Sequence, residues 1–92
     1  MKKHQAYISE HSLGVINQAV LDEFRDATRK FGRFNNAHEG YAILLEEVDE
    51  LWEAIKLKQS NPERDDRILR EACQVAAMAI RLLHDVSFEG AK

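Results

Sequence analysis

Glu71 interrupts an otherwise apolar helical stripe made by Ile68, Ala72, Val75, Ala79, Leu82 and Val86. At about 100° per residue it projects between Val75 and Met78, so an ionised carboxylate is aimed at the packed side of its helix. Such a group needs a counter-charge or a cation, because an unpaired buried carboxylate is costly. Upstream, the run Glu46-Glu47-Val48-Asp49-Glu50 supplies more acids. Glu47 and Glu50, three residues apart, fall at the edge of their helix's apolar face beside Ile43 and Ala54, pointing into the groove where a neighbouring helix packs. Glu46, Asp49 and Glu53 fall opposite that face and read as solvated charge. Gln74 follows Glu71 by three residues and sits beside Met78. Two helices thus each offer an i, i+3 pair of oxygen ligands, a set that suits magnesium, which takes about six oxygens and keeps several waters. The competing reading is that Glu47, Glu50 and Glu71 pair with Arg or Lys from a neighbouring helix. Spacing alone does not separate the two.

The elements that must position these acids are helical. Strand-like alternation of β-branched residues, internal repeats and low-complexity tracts are all missing from the 92 residues. A first helix is expected from about Leu13 to Phe31, with Ile16, Val20, Phe24, Ala27 and Phe31 on one face and Gly32 past its end. After a short connection through Phe34, Asn36 and Glu39 form a variant of the capping box, and a second helix follows from about Ala37 to Lys58. Its broad apolar face comprises Tyr41, Leu44, Leu45, Val48, Leu51, Trp52 and Ile55. Asn61 ahead of Pro62 is a good cap before a proline at the first helical position, so a third helix should run from Pro62 to about Val86. The expected architecture is all-α, a single domain over residues 1–92 built as an antiparallel bundle of about three helices, with flexible ends at 1–12 and 87–92. A core of this size leaves apolar surface for another subunit, so a homodimer or homotetramer is expected.

Net charge of -3, with no cluster of Lys and Arg, argues against a nucleic-acid duplex as partner. The single cysteine, Cys73, rules out an intrachain disulfide and a cysteine-based zinc site, in keeping with a reducing cytoplasm. There is no signal-peptide run and no apolar stretch long enough to span a membrane. His4, His11 and His84 are dispersed and show no ligand spacing.

Taken with their order and helical context, the two acidic segments resemble the MazG-like all-α nucleoside triphosphate pyrophosphohydrolases. The mark of that family is an EExxE segment followed on the next helix by ExxD. Glu46-Glu47-Val48-Asp49-Glu50 matches the first half and Glu71-Ala72-Cys73-Gln74 occupies the second, with Gln74 in place of the final Asp. The resemblance spans both helices and the one before them. It implies magnesium, with manganese as a substitute, held by Glu47, Glu50, Glu71 and Gln74, and cleavage of the bond between the α and β phosphates of a nucleoside triphosphate. Glu46 or Glu50 would orient the attacking water; a ligand carboxylate and a base carboxylate look alike in sequence, which leaves the base open. An amide at position 74 brings no charge, which weakens metal affinity and leaves a non-catalytic nucleotide- or protein-binding regulatory module on the same scaffold as the alternative.

Substrate contacts are a secondary expectation for Arg81, two turns beyond Gln74, and Lys58, beyond Glu47 and Glu50; the first reading of each is a solvated or ion-paired surface residue. His38, Tyr41 and Trp52 could stack on a base, although Tyr41 and Trp52 also lie on the apolar face and suit core packing. A purely structural helical adaptor would treat every acid as surface charge and show no response to magnesium.

Overall fold

In the computed structural model of the protein, residues 7–88 are described, and they form three helices with no strand among them. Residues 1–6 and 89–92, which include most of the ends expected to be flexible, lie outside the described residues. The first helix, α1, spans Glu10–Phe31. It begins one turn earlier than expected because Ser9 caps it, its hydroxyl accepting from the Ser12 amide at 3.2 Å. Residues 10–12 are therefore helical, and Gly14 lies inside the helix. A Cβ at Gly14 would meet nothing within 4 Å, so Gly14→Ala should stabilise the fold by about 0.5–1 kcal/mol through backbone entropy alone, measurable as a higher urea midpoint with unchanged slope. Gly32 ends α1 at a φ of 74°, its amide donating to the Thr28 carbonyl at 2.8 Å.

The second helix, α2, spans Ala37–Ile55. Asn36 accepts from the Glu39 amide at 2.8 Å, and Glu39 reaches back to the Asn35 amide at 2.6 Å, one residue earlier than in a standard capping box. The helix stops at Ile55, not Lys58. Arg64 explains the stop: its Nε and Nη2 donate to the Ile55 carbonyl at 3.2 and 3.1 Å, satisfying an orphan acceptor at the helix end. The third helix, α3, spans Arg64–Leu82. Asn61 does cap the approach, accepting from the Glu63 amide at 2.8 Å, but the chain first makes a tight turn in which the Arg64 amide donates to the Asn61 carbonyl, so the regular helix starts two residues after Pro62. Beyond Leu82 the chain widens into a π-helical turn, Leu83–Phe88, where a continued α-helix was expected.

Pairs of residues fix the topology. Gly40 faces Leu82, Glu47 and Glu50 face Glu71, and Ile55 faces Arg64, so α2 and α3 run antiparallel as a hairpin. α3 packs against both α2 and α1. Val20, Ala27, Ala77 and Met78 form the buried centre, flanked by Phe24, Phe34, Ile43, Leu44, Cys73 and Ile80. α2 meets α3 through its small residues: Ala54 is fully buried, and a Cβ on Gly40 would lie 2.5 Å from Leu82 Cδ1. That close approach turns the broad apolar face of α2 partly outward. Leu44 and Leu51 are half-buried, but Tyr41, Leu45, Val48, Trp52 and Ile55 are exposed. The expected core packing of Tyr41 and Trp52 is therefore not seen: small-residue packing at Gly40 and Ala54 turns that side of the apolar arc away from α3. No helix among the described residues is long and apolar enough to cross a membrane.

A second cluster ties the ends of the fold together. Asp85, 1% exposed, accepts from the Phe34 amide at 2.9 Å and bonds His84 Nδ1 at 2.8 Å. Arg81, 3% exposed, donates to the Gly32 carbonyl at 2.8 Å and lies 4.2 Å over the Phe34 ring. Burial alone would push the Asp85 carboxyl up. The His84 hydrogen bond, the Phe34 amide and the charges of His84 and Arg81 outweigh it and hold the group below its ordinary value. His84 also sets its ring edge-on to Phe24, so it has a structural role that its isolation in sequence did not indicate.

Candidate metal centre

The hairpin brings together the three acids that the sequence singles out. Glu47 and Glu50 from α2 and Glu71 from α3 each present a carboxylate oxygen, and these oxygens lie within 4.8 Å of one another. Glu47 and Glu71 are half-buried and Glu50 is exposed. None of the ion pairs among the described residues includes any of the three; the pairs present are Arg25–Asp22, Arg29–Asp26, Lys56–Glu53, Arg64–Asp65 and His84–Asp85. The alternative in which Arg or Lys from a neighbouring helix neutralises the cluster is thus not the arrangement seen. Burial pushes the Glu47 carboxyl above its ordinary value, and the charges of Glu50, Glu71, Glu46 and Glu23 push it further.

A divalent cation fits this donor set. Oxygens around magnesium, at about 2.1 Å from it, sit about 3 Å apart as neighbours and about 4 Å apart across the octahedron. The three oxygens, within 4.8 Å of one another, would draw closer on an ion and leave its remaining positions to water or a ligand's oxygens.

A sign follows for the metal-free protein. Because Glu47 has a raised pKa in the fold, ionising it weakens the fold: its contribution is full below the ordinary glutamate value of about 4.3 and is lost as pH rises through the raised folded value. Glu47→Gln should therefore be more stable than wild type at neutral pH without metal, and the gain should vanish in acid. Unfolding midpoints measured against pH check this. Magnesium should narrow the difference by stabilising wild type alone.

Beside the cluster lies a cavity of about 450 Å³, within the usual range for small-ligand sites. Glu47 belongs to both, and Glu46 and Gln74 line the cavity wall. Arg81 lines it too, but as a buried residue, not the surface group considered above: its Nη atoms are engaged with Met78 and Gly32, and its Nε has no hydrogen-bond partner. The other substrate candidates stand elsewhere. His38 is exposed, Trp52 is 55% exposed with Lys56 over its ring, and Lys58 lies past the end of α2; none of the three lines the cavity.

Sequence reasoning missed Glu23 and Phe31 of α1, Arg33 of the connection and Glu39, all of which line the cavity. Phe34, which the sequence placed only in the connection, lines it as well. A signal for Glu23 existed in its position next to Phe24 at the edge of the α1 stripe. Arg33 and Phe34 carried none, since loop placement has no periodicity. Compared with protein-family models, curated proteins and solved structures, the chain matches none of them.

Proposed function

We propose that the protein is a magnesium-dependent nucleoside triphosphate pyrophosphohydrolase, with manganese as an alternative metal, releasing a nucleoside monophosphate and pyrophosphate. The observation that carries this reading is the convergence of Glu47, Glu50 and Glu71, in no ion pair among the described residues, beside a ligand-sized cavity that Glu47 also lines. The reaction class comes from the EExxE and ExxQ segments and their likeness to the MazG-like motif. A bound divalent ion would polarise phosphoryl oxygens and offset charge on the leaving group. Glu47, Glu50 and Glu71 would hold that ion, with the amide oxygen of Gln74 as a fourth, neutral donor. Glu46, which is exposed and lines the cavity, would orient an attacking water, and Glu50 is the other candidate. Phe31 and Phe34 offer apolar faces for a base, and Arg33 and Arg81 offer positive charge to an anionic ligand.

Pyrophosphate release from a panel of standard and modified nucleoside triphosphates, with magnesium, manganese or chelator, tests the proposal. Metal-dependent release supports it, and silence across the panel with both metals overturns it. One observation favours a second reading, a binding module without turnover: at the cavity wall Gln74 stands where the motif has a carboxylate. If wild type is silent and Gln74→Asp gains release, that second reading holds.

A further inference from the structure

Glu23 is the one acid that α1 turns toward the cavity. It stands at the edge of the apolar stripe of α1, three residues after Val20 and four before Ala27, and it is half-buried. No ion pair among the described residues includes it. A carboxylate in such a place is costly unless something offsets its charge.

α3 packs against both α1 and α2, and the cavity of about 450 Å³ takes one oxygen-bearing wall from each helix: Glu23 from α1, Glu46 and Glu47 from α2, Gln74 from α3. Electrostatics place Glu23 near the acid cluster. Burial raises the Glu47 carboxyl and the Cys73 thiol above their ordinary values, and the charge of Glu23 adds to both, as the last of four acids acting on Glu47 and alone on Cys73. It therefore lies within reach of Glu47 and of the neighbour of Gln74. Glu23 does not belong to the three oxygens within 4.8 Å of one another, so it would meet an ion there through one of the waters that magnesium keeps.

Charge counting gives Glu23 a purpose. The EExxE and ExxD segments carry five acids over two helices; here Gln74 leaves four, Glu46, Glu47, Glu50 and Glu71, and Glu23 makes up the number from the third helix. An independent observation also points to an occupant of the cavity. Arg81, two turns along α3 from Gln74, is 3% exposed and lines the same cavity with its Nε unpaired, a buried donor whose acceptor the chain does not supply.

We propose that Glu23 supplies from α1 the negative charge that Gln74 does not, so that a divalent ion held by Glu47, Glu50 and Glu71 also clasps α1 to the hairpin. The inference rests on the metal reading above and adds to it a positioning residue and a mechanical consequence. Linkage makes the two effects equal: whatever factor Glu23 contributes to metal affinity is the factor by which bound metal suppresses the opening of α1.

Calorimetric titration with magnesium alone, paired with hydrogen exchange of the α1 amides with magnesium or chelator, tests it. Groups that hold metal-bound waters contribute about tenfold to a hundredfold in affinity, so α1 in wild type should exchange slower by that factor at saturating magnesium. Glu23→Gln keeps the shape, should weaken affinity by the same factor, and should leave α1 exchange indifferent to the ion. Adding Gln74→Asp to it returns a charge to α3 and should recover affinity while α1 stays indifferent. If wild type titrates as flat as Glu71→Gln, the metal reading falls and this inference with it. Binding by wild type with α1 exchange unchanged, or a Glu23→Gln variant that matches wild type in affinity and protection, overturns the clasp and leaves the metal reading standing. The wild-type comparison needs no variant to fold.

Discussion

Glu71→Gln should abolish metal-dependent pyrophosphate release while leaving helix content and unfolding cooperativity intact. Glu71 is the acid that α3 contributes to the cluster, and it faces two acids of α2 across the hairpin. Removing its charge leaves two carboxylates and neutral amides to hold a divalent ion. A metal supplies several kcal/mol of transition-state charge stabilisation, and each 1.36 kcal/mol is tenfold in rate, so a loss of about a thousandfold or more in kcat is expected. The same substitution relieves repulsion within the cluster, so the metal-free variant should be no less stable than wild type. Thermal unfolding with and without magnesium, run beside the assay, separates these effects: wild type should gain stability with metal and Glu71→Gln should gain far less. Full activity in the variant would sink the proposed site.

The largest effect on stability is expected at Asp85. Asp85→Ala strips the Phe34 amide of its acceptor and His84 Nδ1 of its partner, and removes a negative charge that acts on the buried Arg81. Leaving buried polar groups without partners costs about 1–3 kcal/mol each, against a total of about 5–14 kcal/mol for a domain of this length. Chemical denaturation should show it as a collapse of the midpoint or as loss of the folded state. Asp85→Asn keeps the shape and one acceptor oxygen, so it should cost less. The pH dependence has a definite sign. A carboxyl held below its ordinary value stabilises the fold above the unfolded value of about 3.9, and that stability is lost as pH falls through the lower folded value. Wild type should therefore weaken in acid more steeply than Asp85→Asn.

Much of the local architecture was legible because it depends on neighbours in sequence. The left-handed Gly32 after α1, and the reciprocal bonding around Asn36 and Glu39, are short-range devices whose residue types state their purpose. The acids of the cluster were legible for a related reason: helical periodicity places Glu47, Glu50 and Glu71 on the faces where α2 and α3 meet. What depended on partners distant in sequence was not legible. Periodicity marked Tyr41, Val48 and Trp52 as apolar, but only the close approach at Gly40 and Ala54 shows that they turn away from α3. Asp85 looked like an ordinary acid near the end of a helix, because its partner Phe34 lies in another connection 51 residues away. Arg64 was likewise silent in sequence, although its guanidinium sets where α2 ends.

The reach of those links carries a consequence for how the chain folds. α2 and α3 meet through a connection of eight residues between Ile55 and Arg64, so their pairing closes a short loop and should form early. The contacts that join α1's end to the rest, Gly32 with Arg81 and Phe34 with Asp85, span 49 and 51 residues and close only once the hairpin exists. Hydrogen exchange should therefore find the hairpin opening as one cooperative unit, and α1 exchanging through a lower-energy detachment that leaves the hairpin paired.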